Sequence, residues 1–192
     1  MQWEEHQNCE RSWWGNCTST YGEETKQLTY ADRMGLVSKS INGKWPQYDM
    51  QGKSLLDLGG GPVSILLKTI NTSFRTVVDP CNYPDWIKQR YKAANITYFK
   101  CEAENYISTR VYDECWIYNV LQHVQDPEQI IRTAKQYSKL IRIFEWIDIP
   151  PHDGHPHELK EHLLNLWLQG KGTIEKFNGE NTCYGVAYYG IF

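Results

Sequence analysis

The chain has 192 residues, of which 41% are hydrophobic and 22% are charged, a composition typical of one globular domain with a substantial core. Its 20 basic and 23 acidic residues give a net charge of −3, which does not support a partner bound through a phosphate backbone. No apolar run approaches the roughly 20 residues that span a bilayer, and the first residues lack the basic and apolar blocks of a signal peptide.

The cysteine pattern favours free thiols over metal ligands or disulfides. The six cysteines include no CxxC pair, so a zinc cluster is not indicated. Cys101 and Cys115 fall in apolar strand patterns, where a buried thiol is the usual explanation. A reducing compartment suits such a chain, so we expect a cytoplasmic protein.

The segment before the first glycine cluster contains one clear element. Residues 1–22 are rich in Trp and turn formers, and we expect them to be irregular. A helix is predicted over residues 23–34, because Leu28, Ala31 and Met34 follow at helical spacing and Gly35 can end it. Residues 41–53 are predicted to form a loop.

From residue 55 onward, short apolar runs alternate with helical patterns. Strands are predicted at 55–58, 74–78, 96–100, 114–118 and 140–146, and helices at 63–70, 84–94, from 126 onward and at 157–168. The third helix has a start signal, with Asp126 as cap and Pro127 at the first helical position. Such alternation predicts a parallel sheet with right-handed crossovers.

The C-terminal pattern differs, because residues 172–177 and 183–191 flank Asn-Gly-Glu-Asn and predict a hairpin. The chain is therefore predicted to be one α/β domain over residues 1–192. Its doubly wound, mostly parallel sheet has seven strands, including an antiparallel strand from the C-terminal hairpin.

The most informative motif is Ser-Leu-Leu-Asp-Leu-Gly-Gly-Gly-Pro at residues 54–62. Gly59, Gly60 and Gly61 let the backbone turn sharply and approach a ligand closely. Pro62 suits the first position of a following helix, whose N-terminal N–H groups would face the ligand. This pattern predicts a nucleotide-binding strand, loop and helix, with Asp57 as an unusual acid inside it.

Further candidates follow the next strands, and ligands of open α/β sheets bind beyond the carboxyl ends of the strands. Asp79, before Pro80, comes about 20 residues after the glycines, as a ribose-binding acid does. Glu102 and the N–H of Ala103 suit an adenine, and Asn119 follows the fourth strand. Each of these residues alone also fits a turn or a solvated loop, but four successive strand ends together favour a nucleoside site.

The charge pattern argues against a dinucleotide. The third glycine of G-x-G-x-x-G is replaced by Ser64, and a carboxylate at Asp57 would repel a pyrophosphate. A ligand with an ammonium and a sulfonium would not be repelled. S-adenosylmethionine carries both groups, together with a ribose and an adenine.

These residues resemble the class I S-adenosylmethionine-dependent methyltransferases over about residues 50–150. The segments that carry the resemblance are Leu-Leu-Asp-Leu-Gly-Gly-Gly-Pro, Val-Val-Asp-Pro, Cys-Glu-Ala-Glu and residues 112–124. The resemblance implies a Rossmann-like fold in which Gly59 and Gly61 wrap the methionine part, Asp79 holds the ribose and Asn119 lies near the methyl group. It also implies that Glu102 and Ala103 meet the adenine, although the family more often has Asp at position 102.

The resemblance further implies that three segments of the chain have different functions. Residues 1–50 would form a helical or lid segment, 51–150 the cofactor-binding core, and 151–192 the acceptor-side loop, helix and hairpin. The ring-rich residues 13–22, including Tyr21, would cover the cofactor, where an aromatic face attracts a sulfonium. A loop packed on the core is the alternative explanation of this stretch.

Histidines are the candidate catalytic residues. His123 follows the fourth strand, and His155 lies in His152-Asp153-Gly-His155-Pro-His157 beyond the fifth; each is a candidate base. The second cluster also suggests a metal site, but its prolines stiffen it and no distant ligand cluster accompanies it, so we expect no metal. A helix cap, a core histidine or a polar loop are the structural alternatives.

The acceptor is predicted to be a small molecule. Residues 119–122 read Asn-Val-Leu-Gln and lack the prolines of amino-directed DNA methyltransferases, and no separate target-recognition domain is evident. An RNA, protein or glycan acceptor is the alternative, and a non-catalytic S-adenosylmethionine-binding module is a third hypothesis. The sequence does not indicate the oligomeric state.

Overall fold

The computed structural model describes residues 3–43 and 45–192. Its helices are α1 (Trp3–Trp14), α2 (Tyr21–Arg33), α3 (Asp85–Ala93), α4 (Pro127–Tyr137) and α5 (Glu161–Leu168). Its strands are β1 (Ser38–Asn42), β2 (Trp45–Asp49), β3 (Ser54–Leu58), β4 (Thr69–Ile70), β5 (Phe74–Val78), β6 (Thr97–Phe99), β7 (Glu114–Tyr118), β8 (Ile141–Ile147), β9 (Thr173–Asn178) and β10 (Tyr184–Ile191).

The main sheet has seven strands in the order β6-β5-β3-β7-β8-β10-β9. The pairs β5–β6, β3–β5, β3–β7 and β7–β8 are parallel, whereas β10 runs antiparallel to both its neighbours. This arrangement confirms the predicted fold class. The chain leads from β3 to one side of the sheet and from β7 to the other, which creates a crevice between these two central strands.

The core covers both faces of this sheet. Every residue of β7 and β8 is buried, as expected for parallel strands with both faces covered. Successive residues belong to different apolar clusters, with Leu55 and Trp116 on one face and Leu56 and Cys115 on the other. The central strands therefore form a rigid base for the loops at their carboxyl ends.

Several predicted elements agree closely with the structure. The predicted strands at 74–78 and 114–118 have the observed bounds, and α4 begins at Pro127 as expected. The Asp126 carboxylate accepts the N–H of Gln129 at 3.0 Å, which is the predicted cap. Each of the six cysteines is a free thiol.

Other predictions were wrong, most of them before residue 71. Residues 3–14, expected to be irregular, form α1, and the expected loop at 41–53 contains β2 and the end of β1. Met1, Gln2 and Lys44, which fall within these two predicted segments, lie outside the described residues.

The predicted helix at 63–70 is a single 3-10 turn, Ile65–Lys68, followed by β4. The Ser64 hydroxyl caps the turn at Leu66 N, and the Thr69 hydroxyl bonds to the Leu66 carbonyl and helps end the turn. β4 then pairs with β2 in a small second sheet. The apolar residues whose spacing predicted a helix, such as Ile65 and Leu66, are instead buried in this tighter 3-10 turn.

No helix in the described part of the chain is long and apolar enough to cross a membrane.

Candidate functional site

A cleft of about 550 Å³ lies at the carboxyl ends of the parallel strands, a volume suited to a small-molecule ligand. Six predicted binding residues line it: Gly59, Gly61, Asp79, Pro80, Ala103 and Asn119. Both candidate catalytic histidines, His123 and His155, also line it. The remaining predicted residues, Asp57, Gly60, Glu102 and Tyr21, do not lie in its wall.

The backbone at Gly59 permits no side chain. Its φ of +80° is left-handed, and an added Cβ would lie 2.5 Å from both Cγ atoms of Val120. The loop after β3 therefore packs directly against the loop after β7. A glycine is required here by this close approach between the two central strands.

The N–H groups of the glycine loop and of the turn after it are used inside the protein. The Gly61 N–H donates to Asp79 Oδ2 at 2.9 Å, the Ser64 N–H to Tyr91 Oη at 3.0 Å and the Ile65 N–H to Tyr118 Oη at 3.0 Å. The expected helix N-terminus is absent, since only one 3-10 turn follows the loop. A phosphate would find few available donors at this loop, in contrast to a phosphate-binding loop.

Asp79 is the buried carboxylate of the cleft wall. It accepts the N–H groups of Gly61 and Cys81, each at 2.9 Å. Burial raises the pKa of Asp79 to about 6, with the two backbone N–H groups acting in the opposite direction. The side chain is therefore mostly anionic at neutral pH, and a carboxylate has further lone pairs to offer a ligand hydroxyl.

Asp57 lies behind the glycine loop and not in the cleft. Its Oδ2 accepts the hydroxyls of Ser64 at 2.5 Å and Tyr118 at 2.6 Å, and a Cβ on Gly60 would lie 2.6 Å from it. Burial raises the pKa of Asp57 to about 7. Asp57 therefore supports the glycine loop from beneath, and Gly60 packs against its carboxylate.

The side chain of Glu102 was expected in the cleft, but it lies outside the cleft wall. Its side chain accepts Asn105 Nδ2 at 2.7 Å and Gln125 Nε2 at 3.0 Å, outside the cleft wall. Glu104, two residues later on the same turn, lines the cleft and accepts the Gln125 N–H at 2.9 Å. The sequence contained both acids but no signal for which one faces inward.

Tyr21 opens α2 at the surface, with 61% of its area exposed. Its ring lies 5.6 Å from that of Trp45, away from the cleft. The tyrosines that line the cleft are Tyr83, after β5, and Tyr184, at the start of β10. The structure therefore does not bring Tyr21, a residue of the predicted aromatic lid, into the cleft wall.

The N-terminal residues that line the cleft belong to the helix α1. A Trp14 ring carbon lies 3.6 Å from the position of a Cβ on Gly61, and Gln7 Oε1 accepts the Cys81 thiol at 3.3 Å. Both contacts join α1 to the loops after β3 and β5. An aromatic ring from the ring-rich N-terminal residues thus lies beside the glycine loop, and a helix carries it.

His123 bonds to the covering helix. Its Nδ1 lies 2.9 Å from Glu10 Oε1 and 2.9 Å from the Gly154 carbonyl oxygen. Burial acts to lower the pKa of His123, but the Glu10 and Glu145 carboxylates and the Gly154 carbonyl together outweigh it and the net pKa is raised. Burial acts to raise the pKa of Glu10, and its bond with His123 brings that pKa below its usual value.

His155 packs against His123 in an edge-on arrangement, with ring centroids 4.2 Å apart, and against His152 at the same distance. Burial, with charge repulsion from His123, lowers the pKa of His155 to about 3. His155 is therefore neutral under ordinary conditions. Among the described residues, no group of three or more His, Cys, Asp or Glu side chains is arranged to hold a metal ion.

Glu145, within β8, was missed by the sequence analysis. Its carboxylate accepts the N–H of Val120 at 3.0 and 3.1 Å and that of Leu121 at 3.2 Å. It is fully buried, and burial raises its pKa to about 7. It holds the loop after Asn119, whose φ is +54°.

A basic groove lies at the opposite ends of the strands. It contains Arg75, Lys88 and Lys92 and is bordered by residues 72–75 and 95–98, where β5 and β6 begin. The Arg75 guanidinium donates to the carbonyls of Leu66 at 3.0 Å and Thr69 at 3.3 Å, so these donors are already occupied. The groove and the cleft share no lining residue.

Comparison with known proteins shows that the fold of this chain is similar to those of several solved structures. No protein-family model matches the sequence, and no curated protein sequence matches it. The 1,6-didemethyltoxoflavin-N1-methyltransferase of Burkholderia thailandensis, solved with S-adenosylhomocysteine, has a TM-score of 0.59 and 11% identity, covering 97% of this chain and 82% of that one. The DhpI complex with S-adenosylhomocysteine has a TM-score of 0.58 and 12% identity, covering 98% and 93%.

A third similar structure has a different activity in its name. The [4+2]-cyclase SpnF has a TM-score of 0.54 and 18% identity, covering 76% of this chain and 55% of that one. The chain also spans about half of two further matched proteins, 50% of coclaurine N-methyltransferase and 53% of mitomycin 7-O-methyltransferase. These likenesses confirm the predicted fold, whereas chemistry must be argued from the site.

Proposed function

We propose that this chain, which has the fold of the class I S-adenosylmethionine-dependent methyltransferases, binds S-adenosylmethionine and methylates a small-molecule acceptor. The observation that carries the proposal is Asp79, an anionic side chain in the cleft wall at the end of β5. A ribose diol donates to such a carboxylate, and Asp79 is held in place by two backbone N–H groups.

The residues present fit this cofactor better than a dinucleotide. The N–H groups of Gly61, Ser64 and Ile65 are already bonded within the protein, which disfavours a pyrophosphate. Gly59 and Gly61 leave backbone without side chains at the crevice, and Ala103 offers a small surface for a flat base. The neighbours solved with S-adenosylhomocysteine support the same assignment.

When bound, S-adenosylmethionine supplies a methyl group on a sulfonium, which leaves as a neutral thioether. The chain's own residues orient the reactants and exclude water. The helix α1, with Trp14 beside the glycine loop, would exclude water by covering the cleft. The ring of Trp14 also suits a sulfonium by cation–π attraction.

A small acceptor is favoured over a polymer because α1 lies across the cleft and the basic groove lies at the other end of the strands. The net charge of −3 agrees with this choice. N- and O-methyltransferases both occur among the fold neighbours, so an oxygen and a nitrogen acceptor are both compatible with this fold.

Calorimetric titration of the full chain with S-adenosylhomocysteine and with S-adenosylmethionine tests the cofactor. We expect saturable heat with both ligands and a rise in Tm; the absence of both effects would refute the proposal. Transfer of labelled methyl from S-adenosylmethionine is then followed into the small-molecule, RNA and protein fractions of a cell extract. Label in the small-molecule fraction supports the acceptor class, whereas cofactor binding without any transfer favours a non-methylating use of the fold, as the name of SpnF indicates for that protein.

A further inference from the structure

We propose that Glu10 of α1 is a positioning residue that holds His123 as the Nδ1–H tautomer and thereby leaves Nε2 to take a proton from the methyl acceptor. This inference rests on the proposed function and names the group that activates the acceptor. The base is complete only when α1 covers the cleft, because Glu10 belongs to that helix.

The hydrogen-bond geometry determines the tautomer. Nδ1 of His123 lies 2.9 Å from Glu10 Oε1 and 2.9 Å from the Gly154 carbonyl oxygen, and both of these atoms only accept. Nδ1 must therefore carry the hydrogen. The other ring nitrogen, Nε2, lies 3.5 Å from the donor amide of Gln122, which also lines the cleft. A carboxylate that orients an imidazole in this way prepares its second nitrogen as a base.

The charged groups around His123 stabilise its protonated form. Glu10 faces it from α1 and Glu145 from β8, and both carboxylates act to raise its pKa. His155 faces it edge-on from the loop after β8 and stays neutral, because its own pKa is lowered to about 3. One imidazole of the pair is thus suited to accept the proton, and the other does not compete for it.

The proton balance defines the acceptor class. An acceptor oxygen or nitrogen uses its lone pair to form the new bond to the methyl carbon, and the pair of the broken carbon–sulfur bond stays on sulfur. The acceptor's proton passes to His123 Nε2, so the positive charge of the sulfonium is replaced by that of an imidazolium paired with Glu10. The acceptor therefore carries a hydroxyl or an N–H group, in contrast to a tertiary amine or a carboxylate.

The acceptor must also suit the aromatic side chains of the cleft wall. Trp13, Trp146 and Tyr184 line the same cleft, and such rings favour a flat apolar body. We infer a ring-bearing hydroxyl or N–H compound as the acceptor class.

Long-range proton–nitrogen NMR of full-length protein labelled at histidine tests the dyad without any acceptor. The signal of His123 is identified by its loss in His123→Gln. We expect the Nδ1–H tautomer at high pH and a pKa above its ordinary value in the wild type, and a fall of that pKa by about one unit or more in Glu10→Gln. Glu10→Asp keeps the charge and should give an intermediate pKa.

Glu5→Gln is the matched control, because Glu5 is exposed on the same helix and the change removes the same charge. An Nε2–H tautomer in the wild type, or a pKa of His123 equally affected by Glu10→Gln and Glu5→Gln, overturns the proposal. The pH profile of label transfer to the small-molecule fraction should shift to lower pH in Glu10→Gln by the amount seen in NMR; an unshifted profile also overturns it. A failure of wild-type S-adenosylhomocysteine binding would instead identify a failure of the proposed function.

Discussion

The carboxylate of Glu145, inside β8, accepts the backbone N–H of Val120 at 3.0 and 3.1 Å. Val120 in turn approaches Gly59 so closely that a Cβ there would lie 2.5 Å from its methyl carbons. A buried acid on one strand therefore determines the spacing between the two loops that form the crevice. The glycine loop depends on this contact as much as on its own sequence.

Two substitutions of Glu145 distinguish the contribution of its hydrogen bonds to stability from that of its charge. Glu145→Leu keeps a similar volume but leaves the N–H groups of Val120 and Leu121 without an acceptor, which should lower the free energy of unfolding by about 1–3 kcal/mol. Glu145→Gln keeps one acceptor oxygen and should lose less than about 1 kcal/mol. Urea denaturation measures both; equal losses would show that the hydrogen bonds to the loop contribute little.

The glycine requirement at position 59 can be tested against a position with the same backbone conformation. Gly52 has a φ of +83° with open space around it, whereas Gly59 has a φ of +80° and no space for a Cβ. Gly52→Ala should lose about 1 kcal/mol through its backbone alone. Gly59→Ala adds a clash with Val120, so we expect a loss of at least about 2–3 kcal/mol and weaker S-adenosylhomocysteine binding. Similar losses in urea denaturation for the two variants would argue against the clash.

The parts of the fold that were predictable are those encoded by neighbouring residues. β5 (Phe-Arg-Thr-Val-Val) ends in two valines before Asp79, and β7 has Cys-Trp-Ile-Tyr after Glu114; both strands have the predicted bounds. The start of α4 was predictable because Asp126 and Pro127 are a cap and a first-position residue in direct succession. The mostly parallel sheet followed from the alternation of strands and helices, and the antiparallel edge from the C-terminal hairpin pattern.

What could not be predicted depends on contacts between distant segments. Asp57 and Glu145 both lie inside strands, and an alternating pattern does not reveal whether an acid faces a cleft or a buried hydroxyl or N–H group. Glu102 and Glu104 differ only in which side of a short turn they occupy. Glu10 matched no motif, because its partner His123 is far away in the chain.

The assignment of Asp79 predicts a clear loss of cofactor affinity. Asp79→Asn keeps the size of the side chain but removes the charge that strengthens a hydrogen bond to the ribose, so we expect S-adenosylhomocysteine to bind roughly 10- to 100-fold more weakly. Asp85→Asn is the control, since this side chain is 87% exposed on α3. Calorimetry compares the two variants, and an unchanged Kd in Asp79→Asn would exclude this carboxylate as the ribose acceptor.

The burial of Asp57 predicts a pH dependence of stability with a definite sign. Its pKa rises from 3.8 to about 7 in the folded protein because the carboxyl is desolvated and lies near Asp79. Between these two values the folded state binds more protons than the unfolded state, so the contribution of Asp57 to stability falls as pH rises. Above about pH 7 the folded protein contains an ionised, fully buried carboxylate.

Asp57→Asn removes this titration and retains an oxygen for the hydroxyls of Ser64 and Tyr118. Relative to the wild type, the variant should therefore gain stability as pH rises from 5 to 8, by a total on the order of 3 kcal/mol. Urea denaturation at pH 5, 6, 7 and 8 measures the difference, with Asp85→Asn as a variant whose difference from the wild type should stay constant. Parallel stability curves for Asp57→Asn and the wild type would mean that Asp57 is ionised in both states throughout this range, and that the hydroxyls of Ser64 and Tyr118 stabilise its charge as well as water does.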